Sequence, residues 1–556
     1  MSSALICVLS CLLVLAPFLQ DIGGSLAFQG QDIIGGAAII FKPPQRVRDL
    51  TGGAAAMMAT KRPPRSSRPA DVARNTNRTR PPAETPTTDT SDRVEAFRNQ
   101  GNTYYDLGQF QQALEAYQNA LKLAPRDADA QAAVGDTYLT LGRFAEAAAA
   151  YEQTVRLQAD NGAAYSNLGY TYDKQGKVTE SINALRNAVR LNPNDAIAFN
   201  NLGASLYKAG RYQEALDAFN NAVRLAPNDA DALNNLGAVL YVLEQYPRAL
   251  DSFQKAVAAK GDSADAHYNL GNAYYMTGKH REATVAYRRA IQLRSDYVEA
   301  RTNLGSLLIS LGDLRGAIAE LQESIRLRAG NPVAHNNLGY AYVKLGETLD
   351  RAAANQNLRQ AVVAYQEALR LKPDYVKAQN NLGAAYNKLG LYQEAVEPLS
   401  RAVRAKPDFA EAHYNLGTAL YNRGQFKEAV GEFQQAVRLR QDYADAYNSL
   451  GTALYRDQQF EPAIDAYKKT LALKPANAET HNNLGTVYFR NKRYQEAAAA
   501  FKEAIRIKPD YGEAHFNLAL AYVALNDRKG ALEEYNKLKK LDPKLADDFF
   551  QRYIKK

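Results

Sequence analysis

The chain has 556 residues, of which 46% are hydrophobic, and a formal net charge of +9. The excess charge is weak and spread out, because 11 basic and 7 acidic residues before residue 94 leave +4, and 57 basic and 52 acidic residues after it leave +5. Such a charge gives little support to a nucleic-acid-binding class, and we expect no nucleic-acid partner. The only cysteines are Cys7 and Cys11, so no disulfide framework can hold the rest of the chain.

Residues 1–27 predict a signal peptide or a membrane anchor. Residues 4–19 form an apolar run of 16 residues, shorter than the ~20 residues that span a bilayer comfortably. Ser25, Leu26 and Ala27 suit cleavage after Ala27, although no Lys or Arg precedes the apolar run. We expect an extracytoplasmic protein, periplasmic or secreted. The alternative is a membrane-anchored protein, associated with the membrane through residues 4–19.

Residues 28–93 predict a disordered linker that is rich in Pro and Arg. The segment from 42 to 93 combines Pro-Pro pairs with Arg, Thr and Ser. Such a composition cannot bury enough apolar surface to fold. A solvated tether is the favoured interpretation of its basic residues, and contact with anionic lipid is the alternative.

A glycine then recurs every 34 residues, and a single interval of 44 residues interrupts the series. The glycines are Gly101, Gly135, Gly169, Gly203, Gly237, Gly271, Gly305, Gly339, Gly383, Gly417, Gly451 and Gly485, and Ala519 keeps the register. A fixed period of this length indicates a solenoid of small repeated units. It argues against a compact domain with one catalytic cleft.

Each repeat predicts two helices that are joined by a short turn. With positions counted from residue 94, 128, 162 and each later repeat start, the glycine occupies position 8, and position 20 is alanine in twelve of thirteen repeats. Small residues such as Gly203 and Ala215 let the two helices approach closely. We expect Gly210 to end the first helix in the left-handed conformation. The aromatic residue at position 24, such as Phe219, should fill the space between neighbouring repeats.

These positions closely resemble the tetratricopeptide repeat family over residues 94–545. The resemblance implies an all-α, right-handed superhelical solenoid of about 13 helix pairs. First helices would line the inside and second helices the outside.

Position 6 carries an asparagine in nearly every repeat, which we name the asparagine row. The candidate peptide-binding residues are Asn167, Asn201, Asn235, Asn269, Asn303, Asn337, Asn381, Asn415, Asn483 and Asn517. The row resembles the repeat region of O-GlcNAc transferases, in which such asparagines hold the protein substrate. The resemblance implies exposed amides in the concave groove that pair with the backbone of an extended peptide. The alternative is that these asparagines serve only the packing of the motif.

Other site classes receive little support. Five histidines share position 4, but they lie at least one repeat apart, too far for a common metal ion. No phosphate loop or nucleophile elbow is present, and the lysines that clamp acidic chaperone C-termini in related repeats are missing. Since the chain ends at residue 556, we expect no glycosyltransferase domain. We therefore predict no enzyme activity, no cofactor and no metal.

The long interval contains an insertion of ten residues at about 347–356, in the turn of the eighth repeat. It should add ~3 helical turns, either as a tolerated loop or as a docking knob. Residues 546–556 predict a C-terminal capping helix.

We predict a non-enzymatic scaffold that binds extended segments of protein or peptide partners in its groove. The alternative is a targeting subunit for a separately encoded enzyme, such as a glycosyltransferase. The oligomeric state is left open.

Overall fold

The computed structural model describes residues 87–554, and their side chains from residue 90. The predicted segment 1–27 and nearly all of the predicted linker 28–93 lie outside the described residues. Within 87–554 the chain forms 27 α-helices and a closing π-helix, with no strand. The all-α repeat array expected from the 34-residue period is thereby confirmed.

Helices alternate along the chain, so that each odd-numbered helix up to α25 is the first helix of a repeat and the next is the second. The helices are α1 Thr87–Asp106, α2 Phe110–Leu123, α3 Ala128–Thr140, α4 Phe144–Leu157, α5 Gly162–Lys174, α6 Val178–Leu191, α7 Ala196–Lys208, α8 Tyr212–Leu225, α9 Ala230–Val242, α10 Tyr246–Ala259, α11 Ala264–Met276, α12 His280–Leu293, α13 Val298–Ser310, α14 Leu314–Leu327, α15 Pro332–Gly346, α16 Arg351–Leu371, α17 Val376–Lys388, α18 Tyr392–Ala405, α19 Ala410–Asn422, α20 Phe426–Leu439, α21 Ala444–Arg456, α22 Phe460–Leu473, α23 Ala478–Arg490, α24 Tyr494–Ile507, α25 Gly512–Ala524, α26 Arg528–Leu541 and α27 Pro543–Phe549. The π-helix is Phe550–Ile554.

The chain forms two compact units, whose described residues are 87–300 and 301–554. We name them the N-terminal unit and the C-terminal unit. Within each unit a helix packs against the helices before and after it, and first helices of successive repeats also touch each other. This second contact places position 6 of one repeat beside the first helix of the preceding repeat.

The two helices of a repeat approach closely because position 8 has no side chain. A Cβ atom added at Gly203 would lie 2.6 Å from the ring of Phe219, which is far inside contact distance. The ring is buried, as is Ala215. The aromatic residue at position 24 therefore lies against the glycine of its own repeat, whereas the sequence led us to expect it between neighbouring repeats.

A left-handed residue ends the turn between the helices, as expected for Gly210, whose φ is 74°. Eight glycines adopt this conformation, and Glu244 (φ 59°) and Gln458 (φ 62°) adopt it at the same repeat position. Each next repeat then begins with a cap. At the start of α9, for example, the carboxylate of Asp229 accepts hydrogen bonds from two backbone N–H groups of the first turn.

The insertion mainly lengthens one helix. α16 has 21 residues, whereas the second helix of the preceding repeat, α14, has 14. The side chain of Asp350 caps α16, so the extra turns continue directly into the repeat. Pro398 lies inside α18, which continues through it.

The ends of the array differ slightly from the expected boundaries. The first helix begins at Thr87, seven residues before the expected repeat start at 94. The last α-helix begins at Pro543, with Asp542 as its cap. Phe549 is fully buried, and its ring lies edge-on to Phe516 with centroids 5.7 Å apart. This contact covers the last repeat with aromatic side chains.

Candidate functional site

The asparagine row lies in the middle of the first helices, and most of it is buried. Five members have no exposed surface, four are at most 7% exposed, and Asn167 is half-buried. In order of increasing exposure the buried members are Asn235, Asn303, Asn337, Asn381, Asn415, Asn201, Asn269, Asn483 and Asn517. The expectation of a row of exposed amides was therefore wrong, because neighbouring first helices cover these side chains. Peptide binding by the row stays a prediction.

Most of the row takes part in hydrogen bonds between repeats, which we name the amide ladder. The side-chain nitrogen of Asn235 donates to the side-chain oxygen of Asn200 in the preceding repeat at 2.9 Å. The same bond recurs from Asn269 to Asn234 at 3.0 Å. Three more bonds join Asn381 to Asn336, Asn415 to Asn380 and Asn517 to Asn482 at 2.9–3.0 Å. The donors occupy position 6 and the acceptors position 5.

The acceptor half of the amide ladder was not predicted from the sequence. Its signal is the Asn-Asn pair that recurs at positions 5 and 6, as in Asn234 and Asn235. Such a pair gives each repeat a donor for the repeat before it and an acceptor for the repeat after it. Asn167 follows a variant of this scheme, because its nitrogen donates to Asp136 at 3.1 Å.

The amide ladder has a gap between α5 and α7. Position 5 of the repeat at 162 is Ser166, whose hydroxyl replaces the acceptor amide that Asn201 would need. The hydroxyl oxygen of Ser166 and both polar side-chain atoms of Asn201 are buried without a hydrogen-bond partner. A buried polar group without a partner costs about 1–3 kcal/mol. At this gap, both polar side-chain atoms of a row member therefore keep hydrogen-bonding capacity for another molecule.

Tyr207 and Tyr241 lie near the ends of their first helices and pack against the second helices. The ring of Tyr207 meets that of Tyr212 at a centroid distance of 5.3 Å, and Tyr241 meets Tyr246 at the same distance. Burial raises the pKa of Tyr207 and of Tyr241 well above the usual value. Both phenols therefore stay protonated at neutral pH and can donate a hydrogen bond.

The acidic residues at position 2 are partly neutralised by the end of their own repeat. Asp265 pairs with Arg294 at 2.8 Å, and Asp445 pairs with Lys474 at 2.7 Å. Each pair joins the first turn of a first helix to the residue that follows the second helix. These carboxylates therefore serve the repeat itself and add little negative charge for a basic guest.

The histidines at position 4 also hold the repeat together. In all five, Nε2 lies 3.0–3.2 Å from the backbone carbonyl oxygen six residues earlier. His413 and His515 use Nδ1 as well, at 2.6 Å from Glu432 and 2.5 Å from Glu534. Across the described residues, no three His, Cys, Asp or Glu side chains converge as metal ligands do.

Family profiles for tetratricopeptide repeats match nearly the whole array. Profiles described as "Tetratricopeptide repeat" match residues 98–164, 166–230, 228–296, 448–512 and 488–548. A profile described as "TPR repeat" matches residues 305–346, 350–390, 386–424 and 417–458. This chain belongs to the tetratricopeptide repeat family. Family membership supports a protein-interaction scaffold, since tetratricopeptide proteins are generally non-catalytic scaffolds.

Many solved structures are similar to this tetratricopeptide array. The Cut9–Hcn1 hetero-tetramer of APC/C is 14% identical, over 83% of this chain and 96% of that chain, with a TM-score of 0.37. YrrB, described as a TPR protein with an unusual peptide-binding site, is 27% identical over 35% of this chain and 96% of that chain, with a TM-score of 0.31. MamA from Desulfovibrio magneticus RS-1 is 25% identical over 30% of this chain and 96% of that chain, with a TM-score of 0.29. At such TM-scores the likeness carries no argument about function.

No functionally curated protein matches the sequence. Among the helices between residues 87 and 554, none is both long enough and apolar enough to cross a membrane.

Proposed function

We propose that this tetratricopeptide protein is a non-enzymatic scaffold that binds extended segments of partner proteins along its first helices. The observation that carries the proposal is the gap in the amide ladder. There Asn201 is 2% exposed, and neither its amide nitrogen nor its amide oxygen has a partner. A peptide backbone offers the N–H and C=O groups that these two atoms lack.

The repeat spacing favours an extended guest. Neighbouring first helices pack ~10 Å apart, and an extended peptide rises ~3.3 Å per residue, so each repeat meets about every third residue of the guest. Asn235 supports the same geometry, because its nitrogen is used within the ladder while its side-chain oxygen has no partner. Since these atoms are covered in the free protein, binding requires the side chains above them to move.

The other asparagines of the row have less hydrogen-bonding capacity left for a guest than Asn201. Their nitrogens are largely engaged by the preceding repeat, as in Asn269 and Asn517. We propose that they fix the spacing of the first helices and offer a side-chain oxygen to the guest. Half-buried Asn167, next to the gap, is the member that a guest reaches most easily.

The test is binding of the full chain to an array of unbiased synthetic peptides. We expect Asn201→Ala to reduce binding across the array. Ser166→Asn should also reduce binding, because the side-chain nitrogen of Asn201 would then donate its hydrogen bond to the new amide oxygen and not to the peptide. The same hydrogen bond should raise thermal stability. Loss of binding together with a gain in stability separates a binding effect from misfolding.

The control is Asn183→Ala, which removes an exposed asparagine from a second helix. It should leave binding unchanged. If both gap variants bind the peptides as well as the parent does, the gap is not the binding site and the proposal fails.

The alternative is a targeting subunit for a separately encoded enzyme. The resemblance of the asparagine row to the repeats of O-GlcNAc transferases supports a glycosyltransferase as that enzyme. Co-purification of such an enzyme with the chain, and its loss in Asn201→Ala, would favour this alternative over a free-standing scaffold.

We further propose that residues 1–27 direct the chain out of the cytoplasm. The apolar run at 4–19 and the small residues before position 28 support this. N-terminal sequencing of the chain from soluble and membrane fractions tests it. A chain that begins at residue 28 supports cleavage, one that retains the run in membranes supports an anchor, and an intact cytoplasmic chain contradicts both.

A further inference from the structure

The last residue of a first helix lies beside the penultimate residue of the preceding first helix. Lys208, which ends α7, pairs with Asp173 of α5 at 2.6 Å. Two arginines occupy the same place in the C-terminal unit, Arg456 at the end of α21 and Arg490 at the end of α23. We name these two the arginine pair. It stands in consecutive repeats on one edge of the array.

The charge of each arginine acts on a tyrosine hydroxyl of the preceding first helix. Burial raises the pKa of Tyr421 of α19, and the positive charge of Arg456 opposes that rise. Burial likewise raises the pKa of Tyr455 of α21, and Arg490 opposes it. Each guanidinium therefore lies close to the tyrosine of the preceding repeat, as Lys208 lies beside Asp173.

The arginine pair differs from Lys208, Lys344 and Lys388, which occupy the same position of their repeats, by lacking an acidic partner. Lys208 has Asp173, and both Lys344 and Lys388 contact Glu347. Within residues 90–554, no carboxylate lies within 4.0 Å of a charged nitrogen of Arg456 or Arg490. A cation at a helix C-terminus is favoured by the helix dipole, but that preference does not require two half-buried guanidinium groups without carboxylates.

Both arginines are partly buried, and Arg456 also contacts an aromatic ring. The guanidinium carbon of Arg456 lies 4.7 Å from the centre of the Phe426 ring, a cation–π distance. Nε of Arg490 is buried without a hydrogen-bond partner. A positioned guanidinium loses less entropy on binding than a free one, and its planar fork matches a carboxylate in a bidentate pair.

We propose that the arginine pair binds the side-chain carboxylates of an acidic, extended segment of a partner protein. The repeat spacing of ~10 Å corresponds to about three residues of extended chain. The segment therefore carries an acidic residue at every third position. This inference rests on the proposed function in one respect, namely that the bound segment is extended. It adds that the segment is acidic and that it binds at the edge of the array formed by the arginine pair.

The test uses the full chain and a fluorescent synthetic peptide with Glu at every third residue, separated by Gly and Ser. Binding is followed by fluorescence anisotropy at low and at physiological salt. We expect the double variant Arg456→Gln/Arg490→Gln to bind about tenfold more weakly, as expected for two partly exposed ion pairs. Arg456→Lys/Arg490→Lys keeps both charges but loses the planar fork, so we expect it to bind more weakly than the parent and more tightly than the glutamine variant. The circular dichroism of the glutamine variant should match that of the parent, which excludes unfolding as the cause of weaker binding.

A matched control is Arg359→Gln/Arg438→Gln, which removes two exposed arginines from second helices of the same unit. It changes the net charge equally and should bind like the parent. Equal weakening in both glutamine variants would show non-specific charge attraction and overturn the inference.

Two further outcomes decide whether the bound segment is acidic and whether it is a peptide. If a peptide with Gln in place of Glu binds equally well to the parent and to the glutamine variant, the proposed function stands and the acidic guest is wrong. If a single-stranded oligonucleotide binds more tightly than the acidic peptide, and its binding requires the same arginines, the arginine pair binds nucleic acid and the inference is overturned.

Discussion

The two units share their packing but differ at one edge of the first helices. In both, some first helices carry a tyrosine at position 12. Where both residues lie in one unit, the residue at position 13 of the next repeat is then uncharged in the N-terminal unit, as in Thr140, which contacts Tyr105 at 2.8 Å, and arginine in the C-terminal unit. The other pairs of positions are Tyr207 and Val242, Tyr241 and Met276, Tyr421 and Arg456, and Tyr455 and Arg490. The residues that build the helix pair therefore leave position 13 free to vary. Differences in partner choice belong at such positions.

The largest expected effect tests what the units share. Gly203→Ala in the N-terminal unit and Gly417→Ala in the C-terminal unit each place a Cβ atom within 2.8 Å of a buried phenylalanine ring. Both should lower the free energy of unfolding by about 1–3 kcal/mol through overpacking. Thermal unfolding followed by circular dichroism measures this. A large loss in one unit with none in the other would contradict a shared packing rule.

The next effect tests what separates the units. Val242→Arg/Met276→Arg gives the N-terminal unit the charges of the arginine pair. We expect this variant to bind the acidic peptide at a second site, with an affinity within about tenfold of that of the arginine pair. Titration to saturation gives the number of sites. Val242→Gln/Met276→Gln is the uncharged control, and one remaining site in the arginine variant would show that position 13 does not determine binding.

Ser166→Asn should close the gap in the amide ladder. The new amide oxygen would accept a hydrogen bond from the side-chain nitrogen of Asn201. We therefore expect about 1 kcal/mol of added stability, the usual net value of a hydrogen bond. Equilibrium denaturation measures the gain. The reverse change in an intact rung, Asn234→Ser, should lower stability by a similar amount, and an increase there would contradict the role given to the ladder.

The smallest effect is a pH dependence confined to the C-terminal unit. Burial disfavours the charged form of His413, but its hydrogen bond and charge attraction to Glu432 outweigh this and raise its pKa above 6.5. The resulting stability is fully present below pH 6.5 and is lost as the pH rises through the raised pKa. The melting temperature should therefore fall from pH 6 to pH 9 by more in the parent than in His413→Gln.

His267→Gln serves as the control, since Ala286 stands where the partner glutamate would be. It should leave the pH dependence of the parent unchanged. If His413→Gln shows the same fall as the parent, the pair with Glu432 does not supply the pH dependence.

The sequence was sufficient to predict the repeat and its register. Gly203, Ala215 and Phe219 recur at fixed spacing because a close helix contact allows few alternatives at those positions. The left-handed turn at Gly210 followed from the same reasoning. The direction of the aromatic ring did not follow, because periodicity shows that a residue is buried but does not show which neighbour buries it.

The candidate site was harder to predict. Asn235 is polar, so its position on an inner helix suggested an exposed groove, and its burial depends on how closely the preceding first helix approaches. Its partner Asn200 was visible in the sequence, but the sequence alone does not show that two residues 35 apart form a hydrogen bond. Unpaired charges such as Arg456 can be recognised only when every possible partner has been located.

The Asn-Asn pair makes each repeat that carries it a complete connector, with one half of the joint on each side. Asn234 accepts a hydrogen bond from the following repeat, and Asn235 donates one to the preceding repeat. Repeats built in this way can be duplicated, deleted or exchanged without designing a new junction. The serine at 166 interrupts this interchangeability at the junction between α5 and α7, and so marks one repeat of the array by its position.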